Sequence, residues 1–277
     1  MTDLFQVIHI ETRNACTRTC WFCKFGQARK DETAQEMEWS LIERIVYNLR
    51  DLDFRGRISW YGTNEPLLEK RMLKILEFTR SHCPHAFLSF ITNGDLLDAG
   101  VYQSLRRSGL DALGVSVYDE KTYEKVKRLQ DERLVLIEMR SVRPGRVENR
   151  AGNVKRNPQF FEVFQQRHES RSCGRPFSMM VLNPTGQVPL CCSDMYGDVI
   201  MGDVREQRLE EIWNNERFQQ YRTTLAQHGR KTLELCRTCS YGGNAAEVFL
   251  PLSAKPGAER SAEASDPSIQ SGSAESG

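Results

Sequence analysis

A chain of 277 residues suffices for one large domain, or for one domain with a small appendage. With 38 Lys and Arg against 37 Asp and Glu the net charge is +1, which argues against a general polyanion-binding surface, and no apolar run approaches a membrane span. The N-terminus lacks the charged-then-apolar layout of a secretory signal. The expectation is a cytoplasmic protein, with neither nucleic acid nor membrane as partner, whose nine cysteines serve metal rather than disulfides.

Residues 5–10 read as a first strand. Directly after it Cys16, Cys20 and Cys23 stand as Cys-x3-Cys-x2-Cys. Structural zinc takes four ligands, usually as two pairs, whereas three thiolates alone fit a cubane iron–sulfur cluster with one iron left open. Apolar residues at helical spacing follow over 39–50, then a short strand at 58–61, a helix around 72–78 and a strand at 87–91. A helix over 97–107, a strand at 112–117, a helix over 119–129 and a strand at 134–139 complete the alternation. Such alternation predicts an α/β fold with a parallel sheet and helices on its outer face. In such folds the site lies at the strand C-terminal ends, so the cysteine loop, residues 62–66, residues 92–94 and Ser116 should converge on one edge.

Beyond about residue 141 the pattern changes. Residues 143–158 are polar and broken by Pro144, Gly145 and Gly152, as expected of a long active-site loop, and a helix is expected near 159–169. Asn183 to Val188 reads as a strand–turn–strand hairpin that delivers Cys191 at its end, and Cys236 and Cys239 form a Cys-x2-Cys pair. Together with Cys173 these make four thiolates, which fit either tetrahedral zinc or a fully ligated cubane cluster. Cys83 and Cys192 read as small buried residues. Residues 251–277, rich in Ser, Ala, Glu, Gly and Pro, read as a disordered tail.

The triplet, with Phe22 before its last cysteine, resembles the signature of the radical S-adenosylmethionine (SAM) enzymes. Gly62, Thr63, Asn64, Glu65 and Pro66 look like that family's Gly-Glu-Pro motif, which holds the methionine amino group, although Thr63 and Asn64 stand where glycines are commoner. Asn93 and Ser116 match positions that line the SAM pocket. Cys173, residues 186–194, residues 202–204, residues 211–214 and the Cys236–Cys239 pair resemble the SPASM extension in its short, twitch form. The resemblance implies a partial (β/α)6-type barrel over 1–157 and a twitch region over 158–250. The implied cofactors are an open-iron [4Fe-4S] cluster on Cys16, Cys20 and Cys23, SAM itself, and one auxiliary [4Fe-4S] cluster on Cys173, Cys191, Cys236 and Cys239.

Within the family the pattern is similar to carbinol dehydrogenases of aminoglycoside biosynthesis. That implies oxidation of an aminocyclitol or aminosugar alcohol to a ketone, with flavodoxin or ferredoxin as electron donor. Arg150, in the polar loop, is the candidate for contact with the substrate hydroxyl, orienting rather than deprotonating because arginine stays charged. Glu11, Tyr61, Glu138 and Asp194 are further residues able to face a cationic aminosugar. Alternative readings are an epimerase with Cys192 or Cys83 as hydrogen donor, a peptide-modifying enzyme, which the fifteen residues before Cys16 disfavour, and a non-enzymatic cluster scaffold.

Overall fold

The computed structural model describes residues 4–26, 35–129, 131–139, 147–154 and 170–243. The helix expected near 159–169, the boundary at 157/158, the tail and the side chain of Glu138 lie outside the described residues.

Six parallel strands form the main sheet: β1 (Val7–Ile10), β2 (Arg57–Ser59), β3 (Phe87–Thr92), β4 (Ala112–Val117), β5 (Leu134–Glu138) and β6 (Met179–Leu182). Their order is β5-β4-β3-β2-β1-β6, so the chain builds outward from β1 to one edge and then returns to the other. Helices α1 (Trp39–Asp51), α2 (Met72–His82), α3 (Ala99–Arg107) and α4 (Glu120–Lys127) follow β1 to β4.

Alternation of side chains along each strand divides the sheet into two chemically different faces. Ile8, Ile10, Ile58, Leu88, Phe90, Val115 and Leu182 are buried in the core that also takes Leu41, Ile42, Ile45, Val46 and Leu49 of α1. Each such buried aliphatic side chain contributes about 1.5–3 kcal/mol. The alternate positions His9, Arg57, Ile91, Ser116, Ile137 and Met179 line a cavity instead. The helices start where short polar side chains cap free N–H groups: Asp98 accepts from Val101 N at 2.8 Å, and Asp119 accepts from Thr122 N at 2.8 Å.

Two expectations shift. β2 ends at Ser59 because the chain turns there, with Tyr61 N donating back to Ser59 O at 2.9 Å. The hairpin around Gly186 also divides differently. Its first arm, β6, joins the large sheet beside β1, and its second, β7 (Gln187–Pro189), pairs antiparallel with β8 (Ile200–Asp203). The turn between them is real: Asn183 N donates to Gln187 O at 3.0 Å, and Gly186 takes φ +88°, which a side chain would strain. Helices α5 (Arg175–Ser178), α6 (Leu209–Trp213), α7 (Glu216–His228) and α8 (Glu234–Arg237) complete the C-terminal region. It is fastened to α1, where Arg44 Nε donates to Val204 O at 2.5 Å and Asn48 Oδ1 accepts from Leu209 N at 3.2 Å.

Candidate active site

The cysteine triplet lies on a loop tied to the strand ends on three sides. Glu65 N donates to Ala15 O at 2.9 Å, and Asn93 Nδ2 donates to Thr17 Oγ1 at 2.8 Å and lies 3.7 Å from Cys16 Sγ. Arg18 pairs with Asp95 and, at 2.7 Å, with Asp119, and lies over the Tyr118 ring at 4.8 Å. Gly26 closes the loop. A Cβ there would fall 2.0 Å from Cys20 O, so only glycine permits the approach.

A buried ion pair fixes the adjoining loop. Lys24 Nζ lies 2.7 Å from Glu11 Oε1, both side chains being 7 % exposed, and Glu11 Oε2 accepts from Thr63 N at 2.7 Å and Thr63 Oγ1 at 2.9 Å. Gly62 is needed because a Cβ would sit 2.3 Å from Glu11 Oε2. The Glu65 carboxylate is buried and accepts from Thr92 Oγ1 (2.6 Å), Asn93 N (2.8 Å) and Leu67 N (3.0 Å), so its side chain joins the loop to the end of β3. Burial raises its pKa, against the pull of those three bonds. Pro66 starts a one-turn 3-10 helix behind the loop. Asn64 is the exception: its Oδ1 accepts from Gly62 N at 2.9 Å, while its buried Nδ2 has no partner. Unmade donors of this kind are costly unless a ligand takes them.

The other four cysteines belong to the C-terminal region. Cys173 precedes α5, Cys191 follows β7, Cys236 lies in α8 and Cys239 follows it. Burial pushes the Cys236 thiol up to about 12 and the Cys239 thiol up to about 11; the Cys191 thiol rises well above its usual range, opposed by burial and then by Cys192, Cys173 and Cys239. Cys16 is likewise pushed up to about 11, first by burial and further by Glu65, Cys23 and Cys20. Two groups of thiols that oppose one another's ionisation are what an iron–sulfur cluster relieves, because its irons supply the missing positive charge. Among the described residues no three His, Cys, Asp or Glu side chains gather as one metal ion requires. Thiolates around a single zinc stand ~3.8 Å apart, whereas a cubane takes each to a different iron and suits the wider sets seen here.

The segment 147–154 is stitched to the Cys236–Cys239 turn. Asn149 Nδ2 donates to Thr238 O at 2.7 Å, its Oδ1 accepts from Ser240 N at 2.9 Å, and Thr238 Oγ1 donates to Ala151 O at 2.8 Å. These bonds hold three successive left-handed residues: Arg150 (φ 48°), Ala151 (φ 51°) and Gly152 (φ 84°). For the two with side chains that geometry costs of order 1–2 kcal/mol each, and such strain collects at functional sites. It aims Arg150 inward, where Nη1 donates to Glu148 Oε1 at 3.1 Å and to Cys192 O at 3.4 Å.

One cavity of about 300 Å³ gathers the parts. Cys16, Cys20, Phe22 and Cys23 line it together with Gly62, Thr63, Asn64, Glu65, Asn93 and Ser116, and Arg150 lies on its wall; of the cavity residues expected from sequence only Pro66 stands back. Its remaining wall holds residues that sequence reasoning passed over: His9, Arg57, Tyr118, Glu148, Arg175 and Tyr241. Burial, then Arg57 and Arg175, push His9 down to about 3, so it is neutral. Arg57 is buried with Nε and Nη2 unpartnered, and desolvation lowers it to about 10. Its inward position follows from period-two register with His9, the one signal in the sequence that pointed to it. Tyr61 lines the cavity too, but Glu11 and Asp194 do not face it: Glu11 is held by Lys24 and Thr63, and Asp194 accepts from Asp198 N (2.8 Å) and Val199 N (3.0 Å). Cys83 is a core residue, as expected. Cys192 lines this cavity and a neighbouring one of about 460 Å³ that also touches Gly62 and Thr63, which is not the setting of a plain packing residue.

Residues 10–136 match the radical SAM superfamily, and residues 173–240 match SPASM, an iron–sulfur cluster-binding domain. An S-adenosyl-L-methionine-dependent 2-deoxy-scyllo-inosamine dehydrogenase from Niallia circulans is 31 % identical over 254 residues, spanning 87 % of this chain and 94 % of the relative. The chain belongs to the radical SAM superfamily. Among solved structures, BtrN in complex with AdoMet and 2-DOIA is 29 % identical with a TM-score of 0.76, covering 86 % of this chain and 94 % of BtrN. BtrN in an open conformation is 27 % identical with a TM-score of 0.66 over the same shares. The peptide-bound relative's family member anSMEcpe with bound AdoMet, at 14 % identity and a TM-score of 0.53, shares the fold. The cofactors of this radical SAM enzyme are accordingly a [4Fe-4S] cluster with an open iron, SAM and an auxiliary iron–sulfur cluster. No helix among the described residues is long and apolar enough to cross a membrane.

Proposed function

We propose that this radical SAM enzyme is a dehydrogenase that oxidises a carbinol carbon of an aminocyclitol or aminosugar to a ketone. The observation that carries the reading is the single cavity walled on one side by the Cys16–Cys23 loop and on the other by Glu148, Arg150, Arg175 and Cys192, next to the auxiliary cysteines. The relative that acts on 2-deoxy-scyllo-inosamine, and the BtrN complex, support the substrate class.

When bound, the cofactors supply hydrogen-atom abstraction from an unactivated C–H at the cavity and a one-electron acceptor beside it. Everything else falls to this chain's own groups. Cys16, Cys20 and Cys23 hold the open-iron cluster, and Asn64 Nδ2, the Gly62–Pro66 loop, Phe22, Asn93 and Ser116 form the cradle for SAM. Cys173, Cys191, Cys236 and Cys239 hold the auxiliary cluster. Arg150 and Arg57 donate to substrate hydroxyls and fix which C–H faces the SAM side, while Ile91, Ile137, Met139 and Met179 exclude water from it. An electron carrier such as flavodoxin or ferredoxin supplies the reducing equivalent.

A second reading rests on Cys192. Its thiol borders the same cavity, and burial raises its pKa, so it is present as S–H, the form that returns a hydrogen atom and inverts a centre. One experiment separates the two: anaerobic incubation of the reconstituted, reduced enzyme with aminocyclitols and aminosugars in deuterated water. The dehydrogenase reading expects a product lighter by two hydrogens, formed together with 5′-deoxyadenosine. An isomer of unchanged formula carrying one solvent deuterium establishes the epimerase instead, and SAM cleavage without change in any of these substrates removes the substrate class.

A further inference from the structure

We propose that Glu148 is the proton acceptor of the alcohol oxidation, which deepens and rests on the dehydrogenase reading. Turning a carbinol radical into a ketone removes one electron from the carbon and one proton from the hydroxyl; the O–H bond breaks and the C–O bond becomes double. The electron passes to the auxiliary iron–sulfur cluster, and the proton needs a base within reach of the same carbon.

Among the described residues the cavity wall holds only two carboxylates, Glu65 and Glu148. Glu65 is committed to Thr92, Asn93 and Leu67 at the end of β3. His9 is held neutral, but Arg57 and Arg175 oppose a charge on it, and Arg57, Arg150 and Arg175 are themselves cations. Glu148 remains.

Its surroundings suit the task. Oε1 accepts from Arg150 Nη1 (3.1 Å), Arg175 Nη1 (3.1 Å) and Ser193 Oγ (2.8 Å), and Oε2 from Arg175 Nη1 at 2.9 Å. Burial favours its neutral form, yet Arg175 and Arg150 outweigh burial and hold the pKa below the usual carboxylate range. Glu148 therefore starts as an anion. A weak base is enough, because departure of the electron leaves the hydroxyl as a protonated carbonyl, a strong acid. The charges of Glu148 and Cys239 act on each other, so proton and electron leave the substrate toward the same wall. Arg150, two residues along, binds the carboxylate and lines the cavity, which places the hydroxyl it orients next to its acceptor. Glu148 was not read from the sequence, where a lone acid in a polar loop carries no signal.

The test uses holoenzyme with both clusters reconstituted, comparing Glu148→Gln and Glu148→Asp with wild type. Three quantities are measured: ketone formed per 5′-deoxyadenosine, substrate Kd in the unreduced protein by calorimetry, and iron content. For E148Q we expect the ketone-to-deoxyadenosine ratio to fall by about 10²-fold, substrate Kd to change far less, and iron content to stay at the wild-type level. E148D, which keeps the carboxylate on a shorter arm, recovers part of the ratio. A ratio unchanged in E148Q overturns the proposal. So does an equal loss in both variants accompanied by loss of auxiliary iron, which makes Glu148 a structural support. Should wild type itself cleave SAM but yield no ketone, the dehydrogenase reading fails, an outcome visible before either variant is made.

Discussion

The two cysteine groups are built on opposite plans. The Cys16–Cys23 loop opens onto the cavity and is held largely by charged side chains near the surface, Arg18 with Asp95 and Asp119, around a buried Glu11–Lys24 pair. The auxiliary group, of which no cysteine lines that cavity, is held by neutral amide and hydroxyl bonds through Asn149, Thr238 and Ser240. A site that must admit a small molecule tolerates screening by water; a centre that only exchanges electrons is better sealed, and sealing calls for every polar group to be matched.

The sharpest way to break this contrast is to remove the thiols. Replacing Cys16, Cys20 or Cys23 by Ala should bring 5′-deoxyadenosine formation to background. Replacing Cys236 or Cys239 should leave SAM cleavage measurable while ketone formation stops, and chromatographic assay of both products on one sample decides it. Next in size is Asn149→Ala, which strips two side-chain bonds and leaves the buried Ser240 N–H unmatched. A cost of about 3 kcal/mol and a Tm lower by about 10 °C are expected, with auxiliary iron lost before the other cluster's.

A smaller effect separates the exposed clamp. Arg18, and two contacts to Thr122, hold Asp119 down to about 2, below the value near 3.9 of an unfolded chain. Its contribution is therefore full above about pH 4 and is lost as pH falls toward 2. Asp119→Asn keeps the cap on α4 but removes the charge, so it should cost under ~1 kcal/mol at neutral pH, and its acid-unfolding curve should lie above pH 2 closer to wild type as acidity increases. The smallest expected change is a gain: Ala151→Gly relieves a left-handed alanine and should raise Tm by ~1–2 °C with substrate Kd unaltered, as scanning fluorimetry and calorimetry would show.

Local signals made most of this visible in advance. Apolar periodicity marked five strands and their helices, and cysteine spacing marked both metal-binding groups, because each depends on residues close together in the chain. β6 escaped because Met179 to Leu182 is a four-residue apolar run ahead of a turn; nothing local says that it pairs with β1 rather than with β7. Glu148 and Asn149 escaped because their partners, Arg175, Ser193, Thr238 and Ser240, are remote in sequence. Arg57 looked like an ordinary strand-start arginine, and only the sheet register turns it inward.

That register of β6 has a mechanical consequence. β1 runs straight into the loop of Cys16, and β6 lies between Cys173 and Cys191, so four paired rungs from Val7–Met179 to Ile10–Leu182 act as a ruler between two redox centres. A slip of one rung would shift one centre along the other by about 3.3 Å and reverse the facing of every side chain on the strand. Because electron hopping weakens steeply with separation, an edge strand of four residues sets the pace at which the two ends of the cavity exchange charge.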